Sequence, residues 1–401
     1  MAAGNVGGNQ LPKRTGPEDF KLLRMIGRGD VGKVYLVQRR DSEEYYAMKI
    51  LQKQEMIKRK KVKRALTERE ILSTADHPFI VTLYSSFQSE NMLYFVMTFC
   101  AGGAFFRMLQ RQPGKRLSEG VAKFYAAEVL LALEYLHMLG FIYRDLKPEN
   151  ILLHASGHIM LTDFDLSKAS AMPVTPKIVK QMFDKPAVHA KPSVVTNSFV
   201  GTEEYIAPEI INGYGHSSSV DWWTFGILMY EMIFGKTPFR GKTQDETFNN
   251  VLHRELKFPD NIPLSKEGRD FIRRLLRTDP RKRLGANHGA ADLKSHAFFK
   301  GTNWALIRNE TPPIIPELSS HVDCRYFRKY PPSESGIPDE VVDSEKSDSR
   351  EKSGEGSEGK GKRVQERKKS PMRERGVNEK DLPEDDPFRK FRSTENKKTG
   401  Y

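Results

Sequence analysis

Tyr143-Arg144-Asp145-Leu146-Lys147-Pro148-Glu149-Asn150, followed by Leu161-Thr162-Asp163-Phe164-Asp165, decides how the rest of this 401-residue chain is read. Moving a phosphoryl group asks for little covalent chemistry. It needs a base to orient a hydroxyl, cations to neutralise phosphates, and ligands for Mg²⁺. Asp145 suits the base, and Lys147, two residues on, suits the neutralising cation. Asn150 and Asp163 suit the metal, because both present hard oxygen donors. A lobe carrying such a site also needs charged anchors. Glu209, in Ala207-Pro208-Glu209, is a partner for Arg283, and Asp221 is a second acidic candidate.

Working toward the N-terminus, Gly27-Arg28-Gly29-Asp30-Val31-Gly32-Lys33-Val34 lies between two β-rich runs. Glycines there let backbone N–H groups approach a polyphosphate closely. A dinucleotide-binding fold would place a helix directly after them, with an acidic residue about 20 positions on. A strand follows here instead. Lys49, in Ala47-Met48-Lys49, suits a phosphate contact, and Glu68 on the next helical stretch suits its neutralisation.

The flanking pattern predicts strands over 20–26, 34–39, 45–51, 81–86 and 93–99, and a helix over 58–73. After Gly102-Gly103 the character turns helical, with helices expected over 118–137, 220–234 and 266–277. A small β-rich lobe joined to a larger helical one follows. Residues 169–197 carry four prolines and few helix or strand signals, so they read as a long loop. In 340–380, 22 of 41 residues are charged, which predicts disorder because too little apolar surface is available to offset ordering entropy.

Composition narrows the function classes. At 38% hydrophobic and 10% aromatic, the chain can fill a core, so fibrous and wholly disordered classes are excluded. Two cysteines, Cys100 and Cys324, cannot form a disulfide framework or a four-ligand zinc site. No secretory signal and no long apolar run is seen, which predicts a soluble intracellular protein. The net charge of +13 concentrates in 53–64 (seven basic residues, one acidic) and 360–375 (eight basic, two acidic). No nucleic-acid motif accompanies either run, so both read as solvated faces and no nucleic-acid partner is expected.

Taken together, Gly27, Gly29, Gly32, Lys49, Glu68, Asp145, Asn150, Asp163, Glu209, Asp221 and Arg283 resemble, in order, the anchors of a eukaryotic protein kinase. The likeness covers about 20–299. It implies an α+β, bilobal protein kinase fold: a small five-stranded β-rich N-lobe with one main helix, and a larger, mainly helical C-lobe. The implied boundaries are a disordered N-terminus (1–18) and a kinase domain (19–299). That domain comprises an N-lobe (19–98), a hinge (98–103) and a C-lobe (104–299) with a long activation segment (163–209). A C-terminal tail (300–401) follows, disordered over 340–380.

Activity and cofactors follow from the same resemblance. It implies ATP- and Mg²⁺-dependent phosphorylation of Ser or Thr in proteins, the reaction of a non-specific serine/threonine kinase. Lys147 is typical of Ser/Thr rather than Tyr kinases, and Thr202 matches the substrate-facing threonine. Ile26, Gly27, Arg28, Gly29, Asp30, Val31 and Gly32 would cover the nucleotide. Val34, Ala47, Leu152 and Thr162 would line the adenine pocket, with Met97 as gatekeeper and Thr98 to Cys100 as hinge. Glu149 belongs to the catalytic segment on the nucleotide side and, with Glu231, matches carboxylates that bind upstream arginines of substrates. Ala104 stands where the family usually has Glu, so selection at the −3 position is expected to be weak.

Tyr143, Gly201-Thr202-Glu203-Glu204-Tyr205 and Arg283-Leu284-Gly285 are similar to the AGC group. Asp165 in place of the third-position glycine, and the insert before Ser198, resemble the branch of fungal flippase kinases and plant phototropin-type kinases, which implies flippases as substrates. Ser198 aligns with the activation-loop phosphosite, with Arg144 and Arg64 as partners for its phosphate and an upstream kinase implied. Phe388 and Phe391 resemble the hydrophobic motif (388–391), with Ser393 beside it. Trp304, Pro312, Pro313 and Ile315 resemble the early tail. The rival reading is a nucleotide-binding pseudokinase scaffold, for which Asp165 is the best argument. A monomer in the cytoplasm is expected, and 360–375 leaves contact with anionic membrane at the cell periphery and a nuclear address both open.

Overall fold

Short β-rich runs separated by Gly and Asp/Ser turns form an antiparallel meander: β1 (Phe20–Arg28), β2 (Gly32–Arg39) and β3 (Tyr45–Gln52). A computed structural model describes residues 15–170, 177–179, 187–189, 192, 200–215, 217–331, 334, 375–377, 380–391 and 394–395. β4 (Leu83–Gln88) and β5 (Met92–Thr98) extend the sheet. Phe20, Met25, Tyr35, Val37, Tyr46, Met48, Phe87, Tyr94 and Val96 fill its core. The Phe87 ring stacks on Phe20 at 6.0 Å and on Tyr94 at 5.0 Å between centroids.

Two features of the sheet and its first helices differ from the sequence reading. The helix expected over 58–73 is divided into α1 (Lys53–Lys58) and α2 (Val62–Thr74), because the chain turns at Lys60, which adopts φ +54°. The five-strand sheet also gains a sixth member, a short tail strand at Thr394–Glu395 that pairs antiparallel with Ser86 and Ser85 of β4. Without it β4 would be an edge with unpaired N–H and C=O groups.

The helical part begins with α3 (Phe105–Arg111) and α4 (Glu119–Met138). Short strands follow in antiparallel pairs: β6 (Phe141–Ile142) with β9 (Lys168–Ala169), and β7 (Ile151–Leu153) with β8 (Ile159–Leu161). The stretch read as a loop over 169–197 holds an antiparallel pair, β10 (Lys177–Val179) and β11 (Ala187–His189), runs of three residues that leave no periodic signal. The tail strand is therefore β12. The remaining helices are α5 (Pro208–Ile211), α6 (Ser219–Phe234), α7 (Gln244–His253), α8 (Lys266–Leu275) and α9 (Ala290–Lys294). α6 is buried along almost its whole length and stops at Gly235, whose φ of +71° a side chain would resist.

Packing divides the described residues into two units. The first draws on Met1–Arg59, Leu83–Met97 and Lys329–Tyr401, the second on Lys60–Thr82 and Thr98–Arg328. α2 therefore belongs to the helical unit. Of the stretch expected to be disordered at the N-terminus, 15–18 enters a 3₁₀ turn with Pro17 buried, and 1–14 lies outside the described residues. Most of 340–380 also lies outside them, together with nearly all of the basic run 360–375. Phe388 and Phe391 are buried in the first unit, and Lys53, from the other basic run, sets its ammonium 5.4 Å from the Phe388 ring centre. The early tail lies in the second unit, where Trp304 meets Phe299 at 5.0 Å, the Ile314 carbonyl accepts from the Tyr125 hydroxyl, and Ile315 is exposed. Among the described residues no helix is long and apolar enough to cross a membrane.

Candidate active site

In the first unit the β1–β2 turn carries the glycine frame. Gly27 faces Val34 and Arg28 faces Lys33, and the Gly29 N–H donates to the Gly32 carbonyl at 2.9 Å. A Cβ on Gly32 would collide with the Ile50 carbonyl oxygen of β3, so this position needs glycine for room. Val34 stands opposite Lys49 in the β2–β3 register. Ala47 and Lys49, two residues apart, share one face of β3. Ile26 and Met97 are buried, while Arg28, Gly29 and Asp30 are exposed. Asp30 pairs with Arg59, and Arg28 reaches Glu334 of the tail at 3.0 Å.

In the second unit the 143–150 segment is pinned from behind. Asp221, fully buried on α6, accepts the N–H groups of Tyr143 (2.9 Å) and Arg144 (2.7 Å). The same carboxylate meets His137 Nε2 at 2.7 Å. This grip holds Arg144 at φ +68°, a region that L residues rarely occupy. The Tyr143 hydroxyl donates to the Thr162 carbonyl at 2.6 Å, and the Thr162 N–H to the Asn150 carbonyl at 3.0 Å. Two stretches distant in sequence, 143–150 and 161–163, are thereby tied together.

The polar groups converge on Asp145. Lys147 Nζ donates to Asp145 Oδ2 at 2.8 Å and to Thr202 Oγ1 at 2.9 Å, and Thr202 Oγ1 donates to Asp145 Oδ1 at 3.2 Å. Asn150 Nδ2 donates to the Asp145 carbonyl (2.9 Å) and to Oδ2 (2.7 Å). Both amide hydrogens of Asn150 are thereby used, which leaves its oxygen as an acceptor for a cation. Asp163 follows β8 at φ +60°, with the Phe164 ring buried edge-on to Tyr143 at 5.4 Å between centroids. Two hard-oxygen groups with phosphate and water completing the shell suit Mg²⁺, which seldom takes an all-protein cage. Among the described residues no group of three His, Cys, Asp or Glu could hold a metal by itself.

Other expected residues fall as follows. Thr98 is tied to Thr82 through N–H···O bonds of 3.1 and 3.2 Å. Burial pushes the Cys100 thiol up to about 12, so it packs rather than reacts. Leu152 stands opposite Met160 in the β7–β8 hairpin. Glu68 is buried on α2 of the second unit, while Lys49 belongs to the first. Glu149 is exposed. Glu231 accepts from the Tyr205 hydroxyl, and its carboxyl is pushed up first by burial and then by the charges of Glu149 and Glu204. Arg64 Nη1 lies 3.8 Å from Asp165 Oδ2, and Arg144 Nε donates to the Leu166 carbonyl at 2.7 Å. Ser198 and Ser393 lie outside the described residues.

Glu209 and Arg283 form the expected pair, bidentate at 2.6 and 2.9 Å and buried. The sequence reading missed His137 and Tyr205. His137 reads as one more residue of an amphipathic helix, and its place directly after the largely apolar stretch 129–136 was the available signal.

Comparison with known proteins agrees with this geometry: the protein kinase domain model matches residues 20–299, and the chain belongs to the protein kinase family. It is 56% identical to serine/threonine-protein kinase nrc-2 of Neurospora crassa over 331 residues, covering 80% of this chain and 53% of that protein. It is 51% identical to flippase kinase 1 of Saccharomyces cerevisiae over 384 residues, covering 94% of this chain and 40% of that protein. It is 51% identical to phototropin-2 of Oryza sativa over 315 residues, covering 76% of this chain and 34% of that protein. The chain thus spans about half the length of the curated relatives it matches. The AGC-type resemblance and the kinase fold class read from the sequence are borne out.

Proposed function

We propose that this chain is an ATP- and Mg²⁺-dependent serine/threonine protein kinase. The observation that carries the reading is the convergence of Lys147, Thr202 and Asn150 on the Asp145 carboxylate, all within 3.2 Å. Mg²⁺-bound ATP supplies the phosphoryl group and the charge that draws electrons toward the leaving diphosphate. Asp145 Oδ accepts the proton of the substrate hydroxyl and aims its oxygen. Lys147 neutralises the group in transit, and Thr202 steadies both. Asn150 and Asp163 would hold the metal. Lys49 and the turn of Gly27, Gly29 and Gly32 would contact the phosphates. Ile26, Arg28, Asp30 and Val31 would complete the cover; Val34, Ala47, Met97, Thr98, Cys100, Leu152 and Thr162 would enclose the base.

Substrate choice is proposed from charge. Burial raises the Glu231 carboxyl first, and Glu149 and Glu204 are near enough to raise it further, which supports a negative subsite for an arginine upstream of the acceptor. Ala104, at the start of α3, has no carboxylate to add, so selection at −3 should be weak. Phosphorylation of Ser198 by an upstream kinase, docking of Phe388 and Phe391 as a hydrophobic motif, action on flippases, a monomeric state and a cytoplasmic address belong to the same proposal. Likeness to flippase kinase 1 over 94% of this chain supports the flippase reading.

The test is transfer of labelled γ-phosphate to an arginine-containing peptide library with Mg²⁺, wild type beside Asp163→Ala. Wild-type transfer that Asp163→Ala abolishes supports the kinase. Equal silence of both proteins, with nucleotide still bound, would leave the pseudokinase scaffold.

A further inference from the structure

Asp165 follows the metal-binding Asp163 by two residues and occupies a position where glycine offers no side chain at all. Its carboxylate lies 3.8 Å from the Arg64 guanidinium, with side chains 30% and 39% exposed. Arg64 sits on α2 four residues before the buried Glu68, hence on the same helical face one turn away. Arg144, beside Asp145, is fastened to the adjoining Leu166 carbonyl. Burial disfavours the charge of Arg144 first, and nearby Arg64 disfavours it further, against the opposing charge of Asp221. Asp221 offsets Arg144, and at Arg64 the carboxylate within reach is that of Asp165.

We propose that Asp165 is a positioning residue: its carboxylate holds Arg64, ties α2 and its Glu68 to the Asp163 turn, and sustains turnover without a phosphate on Ser198. This rests on the kinase reading above. Both arginines were expected from the sequence to wait for a phosphoserine. In the structure each is already engaged by the 165–166 segment.

The experiment uses the full chain carrying Ser198→Ala, so that no phosphate forms at that site. Asp165→Asn, Asp165→Glu and the exchanged pair Arg64→Glu with Asp165→Arg are compared for kcat, for KM of ATP and for amide exchange across Val62–Thr74. Asp165→Asn should lower kcat roughly fivefold at low salt, the scale of a partly exposed ion pair, with a smaller difference in 1 M salt. It should also quicken exchange in α2. Asp165→Glu and the exchanged pair should recover most of both. Unchanged kcat and unchanged α2 exchange in Asp165→Asn would overturn the proposal. So would a loss that neither Asp165→Glu nor the exchanged pair restores. If the wild type transfers no phosphate, the kinase reading fails, and α2 exchange in Asp165→Asn still decides whether the tether exists.

Discussion

Arg283 shows what one residue can hold. Its side chain is fully buried, donates twice to Glu209, and reaches the Ser219 carbonyl at 2.8 Å and the Arg277 carbonyl at 3.1 Å. Breaking a buried pair leaves one charge uncompensated, so Glu209→Ala is expected to cost about 3–5 kcal/mol in urea unfolding. A loss below about 1 kcal/mol would mean that the pair is hydrated. His77 makes a pH-dependent contribution. It stacks on Tyr135, its Nδ1 accepts the Phe79 N–H at 3.2 Å, and burial, helped by Arg308, lowers it to about 4 against the opposing charge of Asp76. The folded value lies below the ordinary one near 6.5, so the unfolded chain binds the proton more readily between them. Stability therefore falls as pH drops from about 6.5 to about 4. His77→Gln should show a shallower decline in melting temperature over that window, and parallel curves would remove His77 as a cause. The Glu209–Arg283 pair was legible because both residues lie in recognisable motifs, whereas the neutral His77 depends on neighbours that converge only on folding.

At the scale of elements, legibility followed periodicity and punctuation. β1 to β5 alternate or run apolar between turn residues, so their existence and order could be read, with ends off by a few positions. The candidate site in 143–150 and 161–165 could be proposed for another reason: the residue types that phosphoryl transfer calls for are set by chemistry whatever the packing around them. The break between α1 and α2 was hidden, since 58–61 is all Lys and Arg and nothing in its composition announces φ +54° at Lys60. β12 was hidden as well, because two residues cannot show a period and the pairing is supplied by a strand distant in sequence. The end of α6 illustrates a constraint that sequence states only half: Gly235 reads as a helix stop, but not as a close approach. A Cβ there would lie 2.6 Å from the Gly114 carbonyl oxygen, on top of the left-handed backbone. Gly235→Ala should cost about 2 kcal/mol in thermal or urea unfolding, combining the backbone term with local displacement of 114–115. An unchanged midpoint would show that this turn yields freely.

For the molecule as a whole, the sheet unit is assembled from three separated stretches, and its last piece returns from the far end of the chain. Gln88 Nε2 donates to the Phe391 carbonyl at 2.9 Å and to the Phe388 carbonyl at 3.3 Å, contacts that span 303 and 300 residues. Phe391 meets Phe95 edge-on at 5.3 Å, and the Val377 N–H donates to the Gln88 carbonyl at 2.8 Å. Closing a loop of that length is entropically costly, so the tail stays only because its aromatics are buried and its backbone bonds are made. Phe391→Ala removes a fully buried ring and should lower stability by about 3–5 kcal/mol, with little dependence on salt because the contact is apolar. Gln88→Ala should cost less, about 1–2 kcal/mol, since it removes two buried hydrogen bonds and no large apolar surface. Urea unfolding followed by amide exchange in β4 and β5 reads both. Faster exchange of β4 in Phe391→Ala would show the tail sealing this edge, whereas unchanged exchange with an unchanged midpoint would show that the sheet stands without it.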